Sequence, residues 1–119
     1  MAATELEASV RLAGGRVTID MAGDIDGGAR STLDEAYAQA AASAAEQVLL
    51  NFTAVSYINS TGIALIVGLL GKARADGRRV AACGLSEHYR EIFEITRLSD
   101  FMSIYPDEAT ATSTKEGNT

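Results

Sequence analysis

Two hydroxyl side chains, Ser60 and Thr61, stand side by side between Asn59 and Gly62, just ahead of the apolar run that begins at Ile63. Small hydroxyl residues before a continuous apolar helical pattern mark a helix N-terminus. Two chemistries suit hydroxyls there. One is capping, in which a side-chain oxygen takes a free N–H of the first turn and stabilises the helix by about 1 kcal/mol. The other is phosphoryl acceptance, since the exposed N–H groups and positive dipole end can hold a phosphate without the helix melting. A phosphate would add about −1.5 to −2 charge at the centre of a contact patch. Against opposed carboxylates or buried apolar contacts, that costs several kcal/mol, enough to lower affinity by orders of magnitude. The residue types alone leave both readings open.

Other reactive residues are sparse. Asp24 and Asp26 lie in Gly23-Asp24-Ile25-Asp26-Gly27-Gly28. They read as metal ligands, as paired catalytic carboxylates, or as turn formers on a solvated surface. No His or Cys stands at ligand spacing from them, and the stretch lacks the GxxxxGK[ST] pattern of a phosphate-cradling loop. His88 is the only histidine and falls on the exposed start of a helix, while the lone Cys83 sits in an apolar strand where burial keeps a thiol inert. The basic cluster Lys72, Arg74, Arg78 and Arg79 surrounds a helix end, where it complements the dipole as a solvated face. Enzyme catalysis finds little support, and no cofactor or metal is expected.

The elements that must hold these residues follow from patterning. Leu6, Ala8, Val10 and Leu12 alternate with polar residues, as do Val17, Ile19 and Met21, around Gly14-Gly15. This predicts an antiparallel hairpin. Residues 23–28 form a loop, and a helix runs from Ala29 to Ala44 with Leu33, Tyr37, Ala40 and Ala44 on one stripe. Gln47 to Thr53 reads as a strand, with Val48 to Phe52 buried on both faces. The stretch before Asn59 then reads as a loop, followed by a helix to about Ala75 that Asp76-Gly77 closes. Arg79 to Gly84 is a strand. Ser86 caps a third helix with Tyr89, Ile92, Phe93 and Thr96 inward. Phe101 to Tyr105 is the last strand, and Asp107 to Ala111 supplies one or two helical turns. The order β-β-α-β-α-β-α-β with a final helix implies a mainly parallel sheet with right-handed crossovers. Both the Asp24–Gly28 loop and the Asn59–Gly62 turn follow strands at the carboxyl edge, and are expected to be neighbours.

Composition narrows the partners. The chain has 119 residues, 47% hydrophobic and 22% charged, as in a small globular domain. A formal charge of −6 argues against nucleic acid or an anionic membrane surface. The Gly62–Gly71 apolar run is about half the roughly 20 residues a membrane helix needs. No basic and apolar leader pattern opens the sequence, and one cysteine fits a reducing cytoplasm.

The element order, the Gly23-Asp24-Ile25-Asp26 loop and Tyr57-Ile58-Asn59-Ser60-Thr61-Gly62-Ile63-Ala64 together resemble the STAS domain, and more narrowly the bacterial anti-sigma factor antagonists. The resemblance spans roughly Leu6 to Ala109. It implies a single STAS-type α/β domain over residues 1–111, with a mixed, mainly parallel sheet, an N-terminal hairpin and three to four helices. Residues 112–119 are expected to form a disordered C-terminal tail. In that family the motif commonly reads Asp-Ser-[Ser/Thr]-Gly-[Leu/Ile]-[Gly/Ala], and its serine is phosphorylated by an anti-sigma factor that is also a serine kinase. The resemblance therefore implies Ser60 as phospho-acceptor. It implies Asp24, Asp26, Asn59, Thr61 and Gly62 as partner-binding residues, and an anti-sigma factor/serine kinase and a PP2C-type phosphatase as partners in the cytoplasm. Asn59 departs from the motif: it can still cap, but removes one negative charge beside Ser60. That departure keeps a second reading open, a constitutive STAS adaptor in a signalling scaffold or lipid-transport complex that is not phosphorylated.

Overall fold

The protein is described by a computed structural model covering residues 4–113. The alternating N-terminal pattern forms β1 (Glu7–Ala13) and β2 (Arg16–Ile25), paired antiparallel through Gly14 and Gly15. Both turn glycines have positive φ, at 47° and 70°, a region that other residues enter at a cost. β3 (Gln47–Ile58), β4 (Arg79–Cys83) and β5 (Ser103–Tyr105) follow, each parallel to its predecessor, in the spatial order β1-β2-β3-β4-β5. This is the mixed, mainly parallel α/β sheet that the sequence implies.

Helices α1 (Arg30–Ala41), α2 (Ser60–Ala75) and α3 (Glu87–Ile95) lie between the strands in sequence. They share one core with Val17, Ile19, Val48, Leu50, Phe52 and Ala82, the residues that one face of the sheet turns inward. Phe93 of α3 is fully buried and meets Phe52 edge to face, ring centroids 5.8 Å apart. On the other face α4 (Glu108–Ser113) places Ala111 against Leu49, Ala81 and Cys83. β3 is thus buried on both faces where it is most apolar, as its run of aliphatic residues predicts.

Several boundaries differ from the sequence reading. β2 continues through Gly23 and Asp24 to Ile25, so the expected loop shrinks to Asp26–Gly28. Likewise the expected loop before Asn59 is the second half of β3, which pairs Gly23 with Val55 and Ile25 with Ile58. Ladder pairing overrides the turn preference of Gly and Asp here. Gly23, at φ 108°, takes the bulge: a Cβ there would stand 2.7 Å from the Glu5 carbonyl oxygen. α1 ends at Ala41, three residues early, and Ala44 is exposed. The Arg78 side chain is the reason. Its guanidinium donates to the carbonyls of Ala41, Ser43 and Ala45, each at 3.0 Å, so it is a built-in cap and not a solvated charge. Thr96 follows α3 as its exposed C-cap instead of facing inward, and β5 begins two residues late, leaving Phe101 outside the sheet. α4 carries Thr112 and Ser113, which the sequence reading assigns to the tail; residues 114–119 lie outside the described residues.

Beside α4 the second face of the sheet carries a polar ladder. Arg11 binds Asp20 through two N–H groups and Glu108 through one. The Asn51 amide donates to Asp20 at 2.8 Å, and its oxygen accepts from Thr53. The Arg11 guanidinium holds the Asp20 carboxyl below its usual pKa, overriding the opposing effect of partial burial. A depressed folded-state pKa contributes stability that is present above the unfolded value, about 3.9, and is lost as pH falls through the folded one. Urea denaturation should therefore show Asp20→Asn less stable than the parent at pH 7, with the difference shrinking below about pH 4. A difference that stays constant down to pH 3 would remove this role.

Candidate partner-binding site

β2 and β3 end level, with Ile25 opposite Ile58, and the two segments that follow them build the site. Asn59 has extended backbone, φ −95° and ψ −177°, and is the N-cap of α2. Its N–H donates to the Ile25 carbonyl at 3.2 Å, its Oδ1 accepts from the Gly62 N–H at 2.8 Å, and its own carbonyl accepts from Ile63 at 2.9 Å. One residue thus ties the end of β2 to the first turn of α2. Gly62 allows that approach: a Cβ there would lie 1.9 Å from the Ile25 carbonyl oxygen, inside any tolerable contact.

Because Asn59 caps, Ser60 and Thr61 do not. Of the two readings open for these hydroxyls, capping is excluded by the cap already in place. Both residues are exposed on the first turn, and that turn has no acidic side chain. Helix geometry gives their N–H groups no intrahelical acceptor, which leaves the positive end of α2 beside two free hydroxyls.

The two candidate segments are neighbours, as expected. A Cβ on Gly27 would lie 3.6 Å from Thr61 Cγ2. Asp26 caps the 3-10 turn Gly27–Ala29, its Oδ1 accepting from the Gly28 N–H at 2.9 Å. Asp24 ties down the chain start, accepting from the Thr4 N–H at 3.1 Å and donating its own N–H to the Thr4 carbonyl at 3.0 Å. Asp26 therefore has the turn role weighed for it, whereas Asp24 is a strand residue, and part of each side chain is still in reach of a partner. Among the described residues no group of three His, Cys, Asp or Glu could hold a metal ion.

Two residues escape the sequence reading. Tyr89 reaches back from α3 so that its hydroxyl accepts from the Ile58 N–H at 3.0 Å, bracing the strand end that carries Asn59. Its inward helical spacing was visible; its reach to β3 was not. Tyr57, half exposed and opposite Asp24 in the ladder, presents an aromatic face beside the same turn. It was hidden by the loop assignment, since alternation along β3 would have put it outward.

The STAS domain family model matches residues 7–111. The chain belongs to the STAS domain family. A curated relative, the anti-sigma-B factor antagonist of Staphylococcus epidermidis, is 29% identical over 86 residues, covering 72% of this chain and 80% of that protein. Among solved structures, an anti-sigma factor antagonist from Mycobacterium paratuberculosis superposes with TM-score 0.78 and 17% identity, covering 92% of each chain. The Bacillus cell fate determinant SpoIIAA in its phosphorylated form gives TM-score 0.67 and 20% identity, covering 91% of this chain and 99% of that one. At those identities the structures speak for the fold: this STAS domain has the same five-stranded α/β architecture. No helix of the described residues is long and apolar enough to cross a membrane.

The STAS domain has one thiol away from this turn. Cys83 is fully buried on β4, and burial pushes its thiol up to about 11. At pH 8 a thiol reagent should leave the native protein unlabelled on the timescale that modifies it fully in urea; rapid native labelling would contradict that burial. Within the turn, Asn59→Ala should cost about 1 kcal/mol in urea denaturation, and Asn59→Asp should retain the parent stability or exceed it, because a carboxylate caps the same N–H and faces the dipole.

Proposed function

We propose that this STAS domain is an anti-sigma factor antagonist whose Ser60 hydroxyl is the phosphate acceptor. The observation that carries the reading is the Asn59 cap. It completes the α2 terminus without either hydroxyl, so Ser60 is exposed at a rigid positive turn that has no other work for it. The name of the staphylococcal relative supports the antagonist reading.

In this reading the unphosphorylated domain binds an anti-sigma factor that is also a serine kinase, and so releases a sigma factor for transcription. Asp24, Asp26, Asn59, Thr61 and Gly62 form the contact surface around Ser60. Phosphorylation joins Ser60 Oγ to the γ-phosphorus of ATP, breaks the bond to ADP and passes the hydroxyl proton to the kinase. The dianion is accommodated by the α2 N-terminus, so the fold stays and the partner leaves on charge and desolvation alone. A PP2C-type phosphatase would hydrolyse the ester and restore binding. The domain itself acts as a binding module and supplies no catalytic group, in the cytoplasm where such partners meet.

The neutral Asn59 favours a second reading, a constitutive adaptor that is not phosphorylated. One experiment separates the two: the domain is incubated with ATP and each serine kinase of the anti-sigma type from its own genome, and modified residues are mapped by mass spectrometry. Phosphate on Ser60, no modification of Ser60→Ala, and at least tenfold weaker kinase binding by Ser60→Glu (about 1.4 kcal/mol) are expected. Binding that is unaffected by Ser60→Glu, with no phosphate at Ser60, would leave the adaptor reading in its place.

A further inference from the structure

Two turns and more from Ser60, the C-terminal half of α2 forms one wall of a groove of about 310 Å³, with Val67, Leu70 and Arg74 facing Thr96, Leu98 and Phe101. Its apolar side chains are left partly in water: Val67 is 48% exposed and Phe101 51%, and Ile95, next to Thr96, is 79% exposed. Val67 and Phe101 are two of the five large exposed hydrophobic residues among the described ones, and they line the same groove, so here the exposure is paired and not scattered. Clustered apolar exposure marks an interaction surface, whereas single exposed residues need no explanation.

The groove is shaped by a strained turn. Arg97, at φ 68°, is the single non-glycine residue with positive φ among the described residues. Its Nε pairs with Asp100 at 2.7 Å, fixing the turn that buries Leu98 as the floor and leaves Phe101 on the rim. A left-handed arginine persists only where its surroundings hold it.

Charge selects the occupant. Lys72 pairs with Asp34 at 3.0 Å, and Arg78 with Asp76 at 3.4 Å. Arg74 has no carboxylate partner among the described residues; its guanidinium lies over the Phe101 ring, 5.5 Å from the centroid. Stacking leaves the in-plane N–H groups free to receive a carboxylate. The chain's −6 charge would oppose an acidic partner at long range, but is screened beyond about 8 Å at physiological ionic strength, so Arg74 governs the local field. A second copy packed groove to groove would set Arg74 near its own equivalent, a like-charge contact.

We propose that this groove docks a segment of a partner protein, which inserts a large apolar side chain between Val67 and Phe101 and pairs a nearby carboxylate with Arg74. The exposed stripe Ser60, Ala64, Val67, Gly71 and Arg74 runs the length of α2 to the groove, roughly 21 Å. A partner seated at Ser60 therefore has a continuous path to it. The proposal stands whether or not Ser60 is phosphorylated.

The full chain, carrying the photo-crosslinker benzoylphenylalanine at position 67 or position 96, both in the groove lining, is irradiated in its own cells and the adduct is sequenced by mass spectrometry. The expected adduct joins a different protein at a segment with Asp or Glu within four residues of a large apolar side chain. Arg74→Glu and Phe101→Ser should each reduce it at least tenfold while leaving the circular dichroism spectrum unchanged. No adduct at either position, an adduct to a second copy, a segment without acidic residues, or insensitivity to both substitutions overturns the proposal. An adduct abolished by Ser60→Glu yet intact in Arg74→Glu and Phe101→Ser also overturns the groove while sparing the Ser60 reading. The reverse pattern supports the groove and counts against a switch at Ser60.

Discussion

The contact on which the site depends is the one between Asn59, Gly62 and the Ile25 carbonyl. Asn59 donates to that carbonyl and caps α2, and Gly62 passes beneath with no room for a Cβ. The end of β2, the end of β3 and the start of α2 are therefore locked at one point. The buried core shared by the strands and by α1, α2 and α3 holds the rest of the scaffold, but it does not decide where Ser60 faces. The cap decides that. With the first turn completed by an amide, the hydroxyl beside it is held in water on a rigid frame, which is the arrangement a reversible charge needs if it is to act on a partner and not on the fold.

Asn59 also changes what surrounds that hydroxyl. An aspartate would make the same hydrogen bond to Gly62 with one more negative charge within a few ångströms of Ser60. The amide keeps the geometry and leaves the helix dipole uncompensated, since the first turn carries no acid. A dianion at Ser60 would meet less repulsion from its own chain here than beside a carboxylate, while a kinase that seeks an acidic neighbour would find none. In the proposed switch, fold and trigger are thus separate: the first rests on hydrogen-bond geometry, which Asn and Asp share, and the second on charge, which they do not.

Much of this was legible in the sequence because the deciding signals are local. The alternation of Val17, Ile19 and Met21, the two-sided apolar run Val48–Phe52 and the Ser86 cap each name an element without knowledge of its neighbours. What escaped was set by distant partners. Gly23 and Asp24 have turn preferences, yet β3 recruits them into a ladder, and the Thr4–Glu5 backbone lies against them. Arg78 looks like a solvated charge until the carbonyls left open at the end of α1 fold around it. Tyr89 shows its inward spacing but not that its hydroxyl would satisfy a strand end 31 positions away. The choice between capping and free hydroxyls was open for the same reason: Asn59, Ser60 and Thr61 can all cap, and only the approach of Ile25 selects the first.

The same logic separates the two ends of α2. At its N-terminus the exposed groups are polar, small and backed by free N–H groups, so a change of charge there would act directly on a partner docked at Ser60 as proposed. Toward its C-terminal half the exposed groups include Val67, with Phe101 across the groove, Arg74 stacked on that ring and Lys72 paired with Asp34. A carboxylate paired with Arg74 would contribute affinity that a phosphate some 20 Å away barely opposes, since that distance exceeds two Debye lengths at physiological salt. A partner that touched only Ser60 would be switched completely but held weakly; one that also reached the groove would be held through apolar burial and still lose the polar half of its contact on phosphorylation. The length of α2, 16 residues with one face left open throughout, is what makes that division of labour available to so small a domain.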